Sequence, residues 1–312
     1  MVQVGSGCYR CLFTMGIQGA QASCARTALV TGGNRGIGLE VVKILLERGD
    51  HFVFLGCRDL TAGEALVTAL VGTFGERALA VQLDVEDAES IAGAVKTVAD
   101  HTGHLDVLIN NAGIMLDSDG APFSVQACQR MLQVNFEGTV SVTHAFLPML
   151  KVAQGGGQVL STSSGTGTRT LGLLNEEYRE LLLNPGLELH GLRQCLDDLI
   201  SGLRSSSCEH HSIPTVGYGI SKMAVNCFTQ ILARQEPGLR VNACSPGFCN
   251  TDMCANYTGT RKPKDPALGA SVFTKVLFEG LGDGGSGLFF KEASKADTPL
   301  DKALSVIDPW VA

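Results

Sequence analysis

The sequence lacks any apolar run long enough to cross a membrane. A membrane-spanning helix needs about 20 predominantly apolar residues, whereas runs such as Val41 to Leu46 are far shorter, and this one is interrupted by Lys43. A basic stripe is also missing: the formal net charge is −7 and the pI is about 5.5. We therefore expect a soluble protein that binds neither a membrane nor a nucleic acid.

Paired cysteine motifs are scarce, although the chain has eleven cysteines. Cys8 and Cys11 form a C-x-x-C pair, but no second pair lies at a spacing typical of zinc sites. Others, such as Cys57, Cys227 and Cys244, fall in segments expected to be buried. The pattern favours free thiols in a reducing, cytoplasmic compartment, with no bound metal.

Residues 1–25 precede the first clear strand and contain one arginine and no acidic residue. This composition is compatible with an organelle transit peptide, and equally with a disordered extension. Residues 26–312 are long enough to form one large α/β catalytic domain with a full core.

A short apolar run, Thr27 to Thr31, leads into the glycine-rich stretch 32–38, and an amphipathic run follows. This order predicts a strand, a tight turn and a helix. Such a turn lets the backbone approach a pyrophosphate, which then lies at the helix N-terminus. A plain βα turn without a ligand is the alternative. The candidate cofactor-binding residues of this turn are Gly32, Asn34, Arg35, Gly36, Ile37 and Gly38.

The end of the second predicted strand, residues 51–56, favours NADP(H) over NAD(H). An NAD site usually has an acid at this strand tip to hold the ribose 2′-hydroxyl. Here Cys57 takes that place and Arg58 follows it, while Arg35 lies in the glycine turn. Two guanidinium groups favour a 2′-phosphate. Asp59 is the one nearby acid, and its position one step beyond Arg58 points it elsewhere.

The next predicted strands, 78–83 and 105–109, also end in polar or small residues. Asp84 and Val85 follow the first; Asp84 is a candidate adenine ligand or, alternatively, the N-cap of a helix over 87–100. Asn110, Asn111, Ala112 and Gly113 follow the second. Strands alternating with helices predict an α/β fold: a doubly wound Rossmann-type domain with about seven parallel strands.

Tyr218 and Lys222 are four residues apart on a predicted helix, so they share one face. Alone this spacing is common on solvated helices. Together with three other motifs, however, it carries a resemblance. The chain resembles the short-chain dehydrogenase/reductase family over about residues 26–290, because four motifs of that family occur in the same order: the glycine turn, Asp84, Asn110-Asn111-Ala112-Gly113 and Tyr218-x-x-x-Lys222. The resemblance implies that Tyr218 is the catalytic acid and that Lys222 grips the nicotinamide ribose and lowers the tyrosine pKa.

The resemblance also implies two partners for this pair. Ser164, in the hydroxyl-rich stretch 161–164, aligns with the catalytic serine, and Ser161 and Ser163 are its rivals. Asn135 matches an asparagine that interrupts a helix and holds a water in a proton relay. After the sixth predicted strand, Pro246, Gly247 and Thr251 match positions that border the nicotinamide or the phosphates.

The spacing between Ser164 and Tyr218 is 54 positions, much more than in many family members. The excess predicts a helical insertion over 169–213, with one helix over 175–183 and another starting at Asn184-Pro185. An apolar stripe in the second helix must be buried against the domain: it comprises Leu189, Leu192, Leu196, Leu199 and Leu203. The insertion is similar to that of the carbonyl-reductase branch, which implies a monomer.

Two further segments concern the substrate pocket and the end of the sheet. Residues 249–268 are predicted to form a mobile substrate loop, and Phe248 takes a place where carbonyl reductases often carry tryptophan. Ser245 stands where some relatives have cysteine. Residues 284–290 are predicted to form the last turn and edge strand seven.

The expected activity is reduction of a ketone or aldehyde by NADPH, with the proton supplied by Tyr218. Two alternatives stay open at this point. One is a catalytically quiet NADP(H)-binding sensor or scaffold, against which the intact Ser164, Tyr218 and Lys222 argue. The other is a 3-oxoacyl-carrier reductase, which the resemblance associates with a tetramer. The sequence does not identify the carbonyl substrate.

Overall fold

The computed structural model describes residues 26–117, 123–205, 216–255, 257, 259–279, 285–292 and 304–307. The N-terminal extension, the Cys8–Cys11 pair and the expected linker after Ser205 lie outside these residues. Within them the chain alternates strands and helices, and the strands form one eight-stranded sheet in the order β3-β2-β1-β4-β5-β6-β7-β8. The first seven strands are parallel, which confirms the predicted doubly wound Rossmann-type α/β fold.

The strands are short and mostly buried on both faces, as expected for a parallel sheet covered by helices. They are β1 (Arg26–Thr31), β2 (His51–Cys57), β3 (Ala78–Gln82), β4 (Val107–Asn110), β5 (Gln158–Thr162), β6 (Arg240–Ser245), β7 (Phe289–Glu292) and β8 (Leu304–Ile307).

The prediction that strand seven forms the edge was wrong. β8 pairs antiparallel with β7, so that Phe290 lies opposite Val306. A change from parallel to antiparallel pairing at the edge strand of a doubly wound sheet is common.

The helices alternate with these strands, and one π-helical turn interrupts the run before the fifth strand. They are α1 (Gly36–Glu47), α2 (Leu60–Phe74), α3 (Ala88–Thr102), α4 (Val125–Leu132), the π-helical turn (Gln133–Glu137), α5 (Gly138–Lys151), α6 (Gly165–Leu173), α7 (Glu176–Leu183), α8 (Leu189–Ser205), α9 (Val216–Gln235), a 3₁₀ turn (Asp252–Cys254) and α10 (Pro266–Phe278). None of the helices in the described part of the chain is long and apolar enough to span a membrane.

The two faces of the sheet carry separate cores. Residues of α1, α2 and α10 pack on one face, around side chains such as Val42 and Phe273. Residues of α3, α4, α5, α8 and α9 pack on the other, around Phe146 and Phe228. Every described residue of β2 is buried.

Because the first seven strands are parallel, their carboxyl ends share one edge of the sheet. Ligands bind at this edge in this class of fold.

The insertion is helical, as predicted, but its boundaries differ. α6 begins at Gly165, directly after β5, and Asn175 caps α7 through Tyr178 N at 3.0 Å. Asn184 is the C-cap of α7 rather than the N-cap of the next helix, which begins only at Leu189. The expected burial of the stripe is confirmed for Leu192, Leu196 and Leu199.

Three other boundaries need correction. Asp87, not Asp84, caps α3, because its carboxylate accepts from Glu89 N at 2.9 Å. β4 begins at Val107 rather than Leu105. The predicted substrate loop ends at Asp265, since Pro266 opens α10 and Asp265 caps it. Proline is favoured at the first position of a helix, where its missing N–H costs nothing.

Candidate active site

The glycine turn after β1 has the geometry that a phosphate cradle needs. Gly32 and Gly36 have positive φ, at 62° and 53°. A Cβ on Gly38 would lie 2.3 Å from Gly32 O and 2.5 Å from the Asn111 Nδ2, so only glycine fits there. Arg35 is the N-cap of α1 and provides no side-chain cap. The first amides of α1 therefore stay available to an anion.

The backbone after β4 is fixed to β1 by side-chain hydrogen bonds. The Thr31 hydroxyl accepts from the amides of Asn111 and Ala112, both at 2.9 Å. The Asn111 amide group in turn donates to Thr31 O at 3.0 Å and to Gly32 O. A Cβ on Gly113 would lie 3.0 Å from Asn135 Oδ1 and 3.6 Å from Lys222 Nζ. The predicted residues Asn111 to Gly113 thus run from the glycine turn to the catalytic pair.

At the tip of β2 no carboxylate is free to hold a ribose hydroxyl. Cys57 is buried and its thiol donates to Asp59 O. The Asp59 carboxylate caps α2 by accepting from Ala62 N at 3.1 Å. Arg58 and Arg35 are both exposed, and Arg35 pairs with Asp252 at 2.8 Å. These contacts fit a site with two arginines for a 2′-phosphate rather than an acid for a 2′-hydroxyl.

Asp84 and Val85 follow β3 at the same edge of the sheet. The Asp84 carboxylate accepts from Glu86 N at 3.1 Å, and its own amide donates to Ser90 Oγ. Val85 packs closely against α5, since a Cβ on Gly138 would lie 2.8 Å from Val85 Cγ2. The role of both residues in binding adenine stays a prediction.

Tyr218 and Lys222 lie on one face of α9, as the spacing predicts. The Lys222 ammonium is 5.6 Å from the centre of the Tyr218 ring and donates to Thr162 O at 2.8 Å. Thr162 is the last residue of β5, so α9 is joined to the carboxyl end of the central strands. Lys222 is buried, whereas Tyr218 keeps part of its surface exposed.

The three candidate serines lie in different surroundings. The Ser164 hydroxyl lies beside the Tyr218 side chain and acts to lower its pKa. It also donates to Thr166 Oγ1 and caps α6 by accepting from Thr166 N, both at 3.1 Å. Ser163 is buried and donates to Lys222 O at 3.1 Å. Ser161 is buried on β5, within 3.5 Å of Asn110 Nδ2. Of the three, Ser164 is the one that acts on the tyrosine side chain, and its catalytic role stays a prediction.

Asn135 lies at the centre of the π-helical turn, so the helix is interrupted where the resemblance placed the interruption. Its Oδ1 accepts from Ile114 N at 2.8 Å, and its Nδ2 donates to Ile114 O and to Ser221 Oγ, both at 2.9 Å. The Ser221 hydroxyl donates to Tyr218 O at 2.8 Å. π-Helical turns are frequent at functional sites.

Burial shifts the two pKa values of the pair in opposite senses. It lowers the pKa of Lys222 to about 8, because the ammonium is desolvated. It raises the pKa of Tyr218 above its ordinary value, and the Ser164 hydroxyl offsets only part of this rise. The expected lowering of the tyrosine pKa depends on Lys222 together with the cationic oxidised nicotinamide, so it stays a prediction.

The loop after β6 lies beside the serines, because Ser163 N donates to Cys244 O at 2.8 Å. Gly247 has a φ of 80°, and Pro246 precedes it. Thr251 covers the glycine turn: a Cβ on Gly36 would lie 3.2 Å from Thr251 Cγ2. Phe248 forms an edge-to-face pair with Tyr257, with ring centres 4.7 Å apart. The loop therefore reaches both the glycine turn and the strand end that carries Ser164.

Three residues at the site were missed by the sequence reasoning. Thr162 contributes a backbone carbonyl to Lys222, and any residue type provides that group. Ser221 links Asn135 to Tyr218, but a serine inside a helix gives no distinctive signal. Asp117 accepts a hydrogen bond from Tyr218 N at 2.7 Å across 101 positions. No local pattern reports a contact of that range.

Comparison with known proteins agrees with this geometry. The family model "short chain dehydrogenase" matches residues 26–175. Carbonyl reductase (NADPH) 3 of Mus musculus is 34% identical over 253 residues, which cover 79% of this chain and 89% of that protein. The chain therefore belongs to the short-chain dehydrogenase family.

Two other relatives define the branch more closely. Carbonyl reductase (NADPH) 1 of Homo sapiens is 33% identical over 258 residues, covering 80% of this chain and 90% of that protein. The solved structure of salutaridine reductase from Papaver somniferum superposes with a TM-score of 0.72 at 29% identity, covering 85% of this chain and 99% of that one. These similarities confirm the resemblance to the carbonyl-reductase type of the family.

In the described part of the chain, no cluster of three or more metal-ligating side chains occurs.

Proposed function

We propose that this protein is a carbonyl reductase that uses NADPH to convert a ketone or an aldehyde into an alcohol. The observation that carries the proposal is the position of the buried Lys222 ammonium, 5.6 Å from the centre of the Tyr218 ring on one face of α9, with the Ser164 hydroxyl beside the tyrosine. The names of the relatives, carbonyl reductases that use NADPH, support the same activity and the same cofactor. Residues 26–312 are proposed to form the catalytic domain.

Each member of the site has a proposed role. Bound NADPH supplies the hydride. Tyr218 gives its proton to the carbonyl oxygen, and the Ser164 hydroxyl donates to the same oxygen and orients it. Lys222, fixed by Thr162 O, grips the nicotinamide ribose and keeps positive charge near the tyrosine. Asn135, in its π-helical turn, connects Lys222 to solvent through a water.

The proposed cofactor ligands follow the edge of the sheet. Arg35 and Arg58 bind the 2′-phosphate, because the nearby Asp59 already caps a helix. The remaining ligands supply backbone groups or close the walls of the groove: they are Gly32, Asn34, Gly36, Ile37, Gly38, Asp84, Val85, Asn111, Ala112, Gly113, Pro246, Gly247 and Thr251.

We further propose a cytoplasmic monomer. Six described cysteines are free thiols, which fits a reducing compartment: they are Cys57, Cys128, Cys195, Cys227, Cys244 and Cys254. Insertion residues Leu192, Leu196 and Leu199 share a core with α9 residues such as Phe228. The insertion thereby covers a surface that would otherwise be available to a second subunit. The two alternatives, a quiet sensor and a 3-oxoacyl-carrier reductase, are not favoured.

The test is NADPH oxidation with a panel of carbonyl compounds such as menadione, isatin and menthone, with the alcohol product identified by mass spectrometry. We expect NADPH consumption matched by alcohol formation for at least one compound. NADPH binding with no turnover across a broad panel would favour the sensor. Light scattering during gel filtration checks the monomer, and a tetramer would revive 3-oxoacyl-carrier reduction.

A further inference from the structure

We propose that Asp117 is a positioning residue that fixes the start of α9 and thereby the place of Tyr218. Its Oδ2 accepts from the Tyr218 backbone N–H at 2.7 Å, and its Oδ1 lies against Gly217, 3.1 Å from where a Cβ on that glycine would stand. The carboxylate thus holds the backbone of the catalytic residue itself. This inference rests on the catalytic role proposed for Tyr218.

The start of α9 needs such an acceptor. The first amides of a helix have no partner inside the helix, and α9 begins at Val216. Asp117 satisfies one of these donors, the Tyr218 N–H, and its negative charge is favourable at a helix N-terminus. Although burial raises the pKa of Asp117, the backbone N–H groups of Gly217 and Tyr218 act in the opposite direction. These groups therefore favour the ionised form that holds the helix.

The surroundings leave little room for another arrangement. A Cβ on Gly217 would lie 3.1 Å from Asp117 Oδ1, 2.7 Å from Met131 Cε and 3.2 Å from Cys128 Cβ. The carboxylate is therefore held against a tightly packed stretch of backbone. If the side chain were shortened, the Tyr218 amide would lose its acceptor in a partly buried position, which is costly.

Asp117 also ends a segment that is anchored along its length. Residues 111 and 112 bind the Thr31 hydroxyl, and Ile114 binds the Asn135 side chain through both its N–H and its C=O. Leu116 N donates to Met131 Sδ. The segment 111–117 therefore joins the end of β1, beside the glycine turn, to the backbone of Tyr218. It sets the distance between the cofactor groove and the catalytic hydroxyl.

The test compares Asp117→Ala and Asp117→Asn with Asp87→Ala. Asp87 is a matched control because it also caps a helix, through Glu89 N at 2.9 Å. We expect Asp117→Ala to lower kcat about 10- to 100-fold, as misplacement of a reacting group does, with the Kd for NADPH within about twofold of wild type. Asp117→Asn keeps an acceptor and restores most of the activity. Asp87→Ala lowers the melting temperature but keeps kcat.

Hydrogen exchange at the Gly217 and Tyr218 amides gives a readout that needs no activity. We expect faster exchange there in Asp117→Ala and no change in Asp87→Ala. Unchanged kcat and unchanged exchange in Asp117→Ala would overturn the inference. A fall in kcat that is proportional to the loss of stability in both Asp117→Ala and Asp87→Ala would overturn it as well. If wild-type protein reduces no carbonyl compound, the proposed function fails, and the exchange data still decide the role of Asp117.

Discussion

The Ser164 hydroxyl lies beside the Tyr218 side chain and acts to lower its pKa, although 54 positions and three helices, α6 to α8, separate the two residues in the chain. Ser164 is fixed by β5 and by its role as the cap of α6, while Tyr218 is carried by α9. α9 is held to β5 by Lys222 and Thr162. The insertion therefore lengthens the chain between the two residues without separating them in space.

Ser164→Ala is expected to lower kcat about 100-fold or more, because the carbonyl oxygen loses one of its two donors. The Kd for NADPH should stay close to the wild-type value. Ser161→Ala is the matched control, since Ser161 is buried on β5, three residues before Ser164, with its hydroxyl beside Asn110. Steady-state kinetics of both variants checks this prediction. A larger loss of kcat in Ser161→Ala than in Ser164→Ala would mean that Ser164 is not the catalytic serine.

The lowered pKa of Lys222 predicts a pH dependence of stability. Below pH 8 the amine is protonated in both states, and the fold carries the cost of a buried ammonium. As the pH rises from about 8 towards the ordinary value of 10.5, the folded protein releases this proton before the unfolded chain does. The free energy of unfolding should therefore gain on the order of 3 kcal/mol from this group across that window.

The comparison with Lys222→Met isolates the contribution of the ammonium together with its electrostatic interaction with Cys244. We expect the unfolding free energy of wild type minus that of Lys222→Met to rise with pH between 8 and 10.5. Lys96→Met, at an exposed lysine paired with Asp100, should show no such rise. Urea unfolding at a series of pH values measures the unfolding free energy of each protein. A wild-type minus Lys222→Met difference that does not change with pH would contradict the burial argument.

Gly38→Ala should damage the cofactor groove, because the new Cβ would lie 2.3 Å from Gly32 O. The glycine turn must then shift, and we expect the Kd for NADPH to rise about tenfold or more. A tenfold rise corresponds to a loss of about 1.4 kcal/mol of binding free energy. Gly72→Ala is the matched control, since its Cβ meets nothing within 4 Å in α2. It should stabilise the protein by about 0.5–1 kcal/mol. Equal NADPH affinity in both variants, measured by calorimetry, would argue against the cradle.

Removing Arg35 and Arg58 together should weaken the preference for NADPH over NADH. Each guanidinium contributes charge-assisted hydrogen bonds of about 1.5–3 kcal/mol to the 2′-phosphate. We therefore expect kcat/KM for NADPH to fall at least tenfold, with kcat/KM for NADH nearly unchanged. Arg179→Ala, in α7 of the insertion, serves as the control. A parallel loss with both cofactors would mean that the arginines do not bind the 2′-phosphate.

The order of the elements was predictable because their signals are local. An apolar run followed by a glycine turn, as at Thr31 to Gly38, reports a strand and a helix start within a few residues. Tyr218 and Lys222 are likewise a local helical spacing. The sequence therefore predicted the parallel sheet and the common face of Tyr218 and Lys222 on α9, but not the antiparallel β8, which depends on pairing with β7.

The errors fall where one local signal has two meanings. Asn184-Pro185 was interpreted as a helix start, yet proline is also common just after a helix ends, and here Asn184 ends α7. Asp84 and Asp87 are both good caps, and only the position of Ala88 decides between them. Asp117 had no signal at all, because its partner Tyr218 is 101 positions away.

The central claim is that Tyr218 delivers the proton in an NADPH-dependent carbonyl reduction. The most direct measurement is the rate of alcohol formation by Tyr218→Phe in single turnover with saturating NADPH, beside its Kd for NADPH. We expect a loss of at least about 1,000-fold in rate with unchanged cofactor affinity, since the variant keeps the ring but loses the acid. Tyr178→Phe, in α7, should keep the wild-type rate. Wild-type turnover by Tyr218→Phe would contradict the account.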